Sequence, residues 1–185
     1  MEIGELLPGF RAENELEAAV MREPELVRGL AWGEPRSGHP EGSVARHVTD
    51  LLERLERGGE VGERRTMLRF IALVHDTFKY DVREWKPKTG ENHHAMRAGR
   101  FAERFTEDER TLAVIELHDR PYAIWRRLRR TGAVDKGQFE VMMRRIPDAG
   151  LFLTFVELDG ATEGKAPQPT GWFRRELSAR GIVAA

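Results

Sequence analysis

Apolar residues recur along most of the chain at intervals of three and four, the spacing of one helix face. Residues 1–13 contain Pro8 and Gly9 and read as an entry segment. A helical pattern over residues 15–27 passes through Leu16, Ala19 and Val20 and is interrupted by Pro24. Residues 29–42 are dense in Gly and Pro and read as a loop. Ser43 can cap a helix running to about Gly58, with a stripe of Val44, Val48, Leu51, Leu52 and Leu55. The next helix, about 62–76, is central: Leu68, Ile71 and Ala72 lead at helical spacing to His75 and on to Lys79. A charged loop over 79–91 is long enough to rim a site, and with a Gly/Pro loop over 160–170 that carries Lys165 it is expected to shape the pocket. Further helices are expected from about Glu91 to Phe105, from a Thr106 cap to His118-Asp119, from Pro121 to Gly132, and from Asp135 to just before Pro147. Residues 148–160 have strand-preferring side chains, yet Phe152, Phe155, Val156 and Asp159 share a helical face, so a buried helix is expected. A short last helix over 172–180 carries Trp172 and Phe173 as packing anchors. The expected fold is all-α, a compact helical bundle, with residues 1–185 forming one domain.

Composition narrows the chemistry. A net charge of -1 gives no bulk attraction to nucleic acid, and pairs such as Arg126-Arg127 read as solvated helix faces. With no Cys, disulfides, thiolate metal sites and Cys nucleophiles are all excluded. No apolar run approaches membrane-spanning length and no signal segment stands out, so no membrane partner and a cytoplasmic location are expected.

Within that pattern the histidines stand out. His47 lies beside the apolar stripe of its helix, and His75 with Asp76 ends the central one. His94 continues into Ala98, Phe101 and Phe105, whereas His93 continues into Arg97, Arg100 and Arg104; His94 is thus the inward candidate and His93 the outward one, unless the helix starts later. His118 ends its helix and Asp159 lies on the inner face of the buried one. Burying so many polar groups without partners would be costly. Four imidazoles and two carboxylates can hold one divalent transition metal, or two sharing Asp76. Mn, Fe, Co, Ni and Zn suit such N/O donors better than Ca or Mg. Lys79 is placed to reach an anion held there. Asp119 reads as a cap before Pro121. His39, in the loop, with Arg46, His93 and Arg97, is a candidate substrate-binding residue.

The ordered set resembles the HD-domain superfamily, the all-helical metal-dependent phosphohydrolases. Glu41-Gly42-Ser43-Val44-Ala45-Arg46-His47 looks like the segment carrying the family's first His. Leu73-Val74-His75-Asp76-Thr77-Phe78-Lys79 looks like its central His-Asp-x-Gly-Lys motif, with Phe78 in place of the common Gly. The likeness covers about residues 40–160. It implies that His47, His75, Asp76 and Asp159 hold a primary metal and that His94 and His118 complete a second site, with Asp76 bridging. Leu158 replaces a frequent Ala before the last Asp, and Asp148 is a weaker substitute for Asp159.

The expected activity is hydrolysis of a phosphate ester, of a nucleotide or a similar small molecule, by metal-activated water, with Asp76 and Lys79 as catalytic residues. No Gly-Tyr-Pro element of the cyclic-dinucleotide subfamily is present. Two other functions fit the same donors. One is a di-iron oxygenase of the inositol-cleaving type; the other is a non-enzymatic helical ligand- or partner-binding domain with a structural metal. Oligomeric state is not legible.

Overall fold

The structure, a computed structural model, describes residues 3–35, 42–162 and 164–184. His39 lies outside the described residues. Every regular element among them is helical. In chain order these are α1 (Ile3–Leu6), α2 (Glu15–Val20), α3 (Pro24–Ala31), α4 (Val44–Gly58), α5 (Gly62–Val74), α6 (His94–Ala102), α7 (Glu109–Leu117), α8 (Arg120–Thr131), α9 (Lys136–Arg144), α10 (Ala149–Gly160) and α11 (Gln168–Ala179). Two 3₁₀ segments, Thr77–Asp81 and Gly90–Asn92, lie between α5 and α6.

Local chemistry explains most boundaries. Ser43 accepts from the Arg46 amide at the start of α4, and Gly59, in the left-handed region at φ 73°, ends it. Asp135 and Asp148 cap α9 and α10 in the same way, and Gly132 closes α8. Asp148 is therefore a capping residue, its carboxylate accepting from Leu151 N at 2.8 Å, and not a stand-in for Asp159. Several boundaries differ from the sequence reading; α3 runs on to Ala31, α6 ends at Ala102 and the last helix begins at Gln168. Pro24 begins α3 instead of interrupting a longer helix, because a first-turn position needs no amide donor. Asp108, not Thr106, caps α7: its carboxylate takes both the Thr111 amide and hydroxyl. The central helix stops at Val74, and the chain turns into the 3₁₀ segment with Phe78 at φ -95° and ψ 17°. Since that φ is negative, Phe78 sits in the turn without needing the left-handed conformation that favours glycine.

The core sits around α5, whose residues Met67 to Val74 are all buried. α4, α7 and α10 pack on α5, and α6 packs on α7. α10 is apolar almost all round, as a helix enclosed by others must be: Leu151, Phe152, Leu153, Phe155 and Val156 are buried. α11 joins it through Phe173, which meets Phe152 edge-on, and packs beside α8. α3 lies against the 3₁₀ segment that follows His75-Asp76, so the N-terminal helices support the central turn.

Candidate metal centre

Helix ends deliver the polar side chains. His75 and His118 are the C-cap residues of α5 and α7. Each ring turns back onto a carbonyl of its own last turn: His75 Nδ1 is 3.1 Å from Ala72 O, and His118 Nδ1 is 2.9 Å from Ile115 O. A carbonyl can only accept, so Nδ1–H donates and the Nε2 lone pair of each ring faces inward. His47 comes from the first turns of α4, His94 opens α6, and Asp159 lies in the last turn of α10.

These atoms converge. His75 Nε2 lies 3.3 Å, and His47 Nε2 3.8 Å, from Asp76 Oδ2. On the other side of the same carboxylate, Oδ1 is 3.3 Å from His94 Nε2 and 3.6 Å from His118 Nε2. Asp159 Oδ1 is 2.9 Å from His47 Nε2 and 3.9 Å from His75 Nε2. Two donor groups able to hold a cation result, His47-His75-Asp76 and Asp76-His94-His118, and they share Asp76. Phe155 packs edge-on against the His75 and His118 rings and forms an apolar floor.

The donors suit a divalent transition metal: buried imidazole nitrogens and carboxylate oxygens, with no sulfur. His75 Nε2 and Asp76 Oδ1 are buried and find no hydrogen-bond partner among the described residues, an expensive state for atoms with nothing to bind. Burial pushes the His75 imidazole down to about 4, against the pull of Asp76, so the ring is neutral. Burial also lowers His94. Burial works the same way on His118, but the Asp76 and Asp119 carboxylates outweigh it and raise that ring. Asp76 and Asp159 are held well below the usual carboxylate range: burial opposes this, and the ammonium groups of Lys79 and Lys165 with the neighbouring imidazoles prevail.

Those two lysines face each other in role. Lys79 Nζ is 2.5 Å from Asp76 Oδ2, and Lys165 Nζ is 2.6 Å from Asp159 Oδ1. Lys79 was expected at the centre. Lys165 is legible in the sequence only as a cation in a Gly/Pro loop, six residues beyond Asp159; its approach depends on the chain returning after α10. Both line a cleft of about 560 Å³ that also takes in Asp76, His94, His118, Asp159, Tyr122 and Trp125.

Other expectations are revised. His93 does not face outward with the arginines: its side chain is 12% exposed, and its Nε2 lies 3.1 Å from Asp119 Oδ2. Of the two histidines, His94 reaches Asp76 and His118, while His93 stacks on His94 and pairs with Asp119. His93, His94 and Asp119 form a third donor group beside the first two. Asp119 occupies the N-cap position of α8, yet its carboxylate makes no capping bond. Burial would raise it, but His93 and His118 bring it down to about 2. Arg46 is exposed, and Arg97 donates to Asp81 and to the Glu91 carbonyl; neither lines the cleft. The loop after Lys79 is not its rim either. Asn92 ties that loop to itself through Arg83, Lys86 and Pro87, whereas the segment after α10, also expected to shape the pocket, does wall the cleft.

No protein-family model, curated protein or solved structure matches the chain. Fold and site together define a class: a compact all-helical protein whose clustered His and Asp side chains can chelate a divalent cation.

Proposed function

We propose that the protein is a metal-dependent phosphohydrolase of the HD type, acting on a phosphate ester of a nucleotide or similar small molecule. One observation carries this reading: the donor group Asp76-His94-His118, joined through Asp76 to the buried His47 and His75, lines the same cleft as two ammonium groups. His47, His75, Asp76 and Asp159 would hold one cation; Asp76, His94 and His118 would hold a second. A divalent cation there acidifies water towards neutral pH and offsets charge on phosphoryl oxygens. The chain contributes the rest. The carbonyls of Ala72 and Ile115 fix the tautomers of His75 and His118. Asp76 orients the attacking water. Lys79 and Lys165 bind phosphoryl oxygens and stabilise their charge as water oxygen adds to phosphorus and the ester P–O bond breaks, the leaving alkoxide taking up a proton.

The test is metal analysis of purified protein, followed by assay of nucleoside mono-, di- and triphosphates with added Mn, Co, Ni or Mg. Asp76→Ala is expected to abolish turnover, and chelation to suspend it reversibly. Unchanged turnover in Asp76→Ala with metal still bound would falsify this mechanism. An aerobic oxygen-uptake assay beside an anaerobic phosphatase assay separates it from oxygenase chemistry on the same donors.

A further inference from the structure

The cleft is lined by two unlike sets of side chains: His94, His118, Asp76 and Asp159 with the two lysines, and Tyr122 and Trp125 of α8. The backbone links them. α8 starts immediately after His118-Asp119, and Asp119, Tyr122 and Trp125 follow at intervals of three, hence on one face. At helical rise, Tyr122 lies about 5 Å and Trp125 about 9 Å along the axis from Asp119. A ligand anchored by a phosphoryl group at the donors and extending along α8 would meet these rings after roughly the reach of one sugar.

The rings are available. Tyr122 is 51% exposed, although large aromatic residues elsewhere in the chain are mostly covered, and Trp125 is half-buried. Their planes lie within 25° of each other, with centroids 6.0 Å apart. At that distance the rings are slid past one another, and part of each face stays open. The Arg126 guanidinium lies over the Tyr122 ring, 5.8 Å from its centroid. The facing segment supplies Gly160, Gly164 and Ala166, side chains too small to fill the space themselves. A volume of 560 Å³ falls within the ~300–1,000 Å³ of pockets that enclose small molecules.

We infer that Tyr122 and Trp125 form a ring-binding subsite that selects phosphate esters whose leaving group carries a planar aromatic ring. The inference rests on the phosphohydrolase reading for the chemistry, while ring binding is measurable without it. A glycerol or simple sugar group leaves both faces wet; a nucleobase or aryl ring covers them. Stacking is tolerant of ring identity because every base has a π-face. Tyr122 and Trp125 are thus specificity-determining residues.

The experiment compares adenosine monophosphate, p-nitrophenyl phosphate and glycerol phosphate as substrates of the Mn-loaded full chain. Tyr122→Ala is expected to lower the kcat/KM ratio of a ring-bearing ester to glycerol phosphate by about 5- to 100-fold, mainly through KM. Tyr122→Phe, which keeps the ring, should restore the ratio. Equal losses on all three esters, or no loss on any, overturn the inference. A second measurement needs no turnover: saturation-transfer NMR of adenosine and of p-nitrophenyl phosphate on chelator-treated protein. Either ligand binding to wild type and to Asp76→Ala but not to Tyr122→Ala supports the subsite, even if no ester is hydrolysed. Tyr122-dependent signals for p-nitrophenyl phosphate alone narrow it to simple aryl esters. Binding of neither ligand by wild type overturns it.

Discussion

His75 and His118 illustrate how a single residue becomes a ligand. Each is buried, and each has one nitrogen committed to a backbone carbonyl of its own helix end, so the other points at the shared Asp76 carboxylate. Their proton affinities differ, and this has a measurable consequence. A cation competes with protons for imidazole. His75 stays neutral down to about 4 because burial disfavours its charged form, whereas His118 is raised by Asp76 and Asp119 despite its burial. On acidification His118 takes up its proton first. Where two equivalents bind, the one held by Asp76, His94 and His118 should therefore leave first as the pH falls. Metal content after dialysis at stepped pH checks this; both equivalents leaving together near pH 4 would contradict it. At this scale the donors were legible, because a histidine at the end of an apolar stripe announces itself. The partner of His93 was not. Asp119 lies 26 positions away in sequence, and helical spacing around His93 pointed to the arginine face.

Among the elements, the turn after α5 matters most, and α3 holds it. Gly29 of α3 approaches so closely that a Cβ there would lie 2.1 Å from the Thr77 carbonyl oxygen. Replacing glycine by alanine inside a helix ordinarily stabilises by ~1 kcal/mol. Here the clash is with backbone, which cannot swing aside, and overpacking of this kind costs about 1–3 kcal/mol. Gly29→Ala is thus expected to destabilise the fold, and to weaken cation binding, since Thr77 follows Asp76 directly. Urea unfolding and metal titration of the variant measure both effects; a more stable variant would show that α3 does not constrain the turn. Caps such as Ser43, Asp135 and Gly132 were legible because capping chemistry involves residues only three or four apart. The close approach of Gly29 to Thr77 was not, since a glycine followed by a loop looks the same whether or not another backbone lies against it.

Across the whole molecule, the N-terminal segment is fastened to the central helix by a buried ion pair. Arg69 of α5 donates to both Glu17 carboxylate oxygens, at 2.7 and 2.9 Å, and Glu17 is fully buried. Removing one partner of a buried pair typically costs ~3–5 kcal/mol, because the other charge is left uncompensated. Glu13 and Glu56 also reach Arg69, each at 3.2 Å, so Glu17→Ala should fall at the low end, about 3 kcal/mol in chemical denaturation. A loss below 1 kcal/mol would mean that the outer carboxylates take over the pairing. The sequence by itself determined the all-helical class and the apolar faces, and it pointed to His47, His75, Asp76, His118 and Asp159 as inward candidates while leaving His93 and His94 both open. Periodicity is a local property, readable wherever a helix has one wet and one dry side. Only the tertiary structure decided that these groups meet, that Lys165 returns to Asp159, that His93 pairs with Asp119, and that Tyr122 and Trp125 border the same cleft. Those relations depend on how α4, α5, α6, α7, α8 and α10 pack against one another, and contacts between residues as distant as His47 and Asp159 leave no periodic trace in the chain.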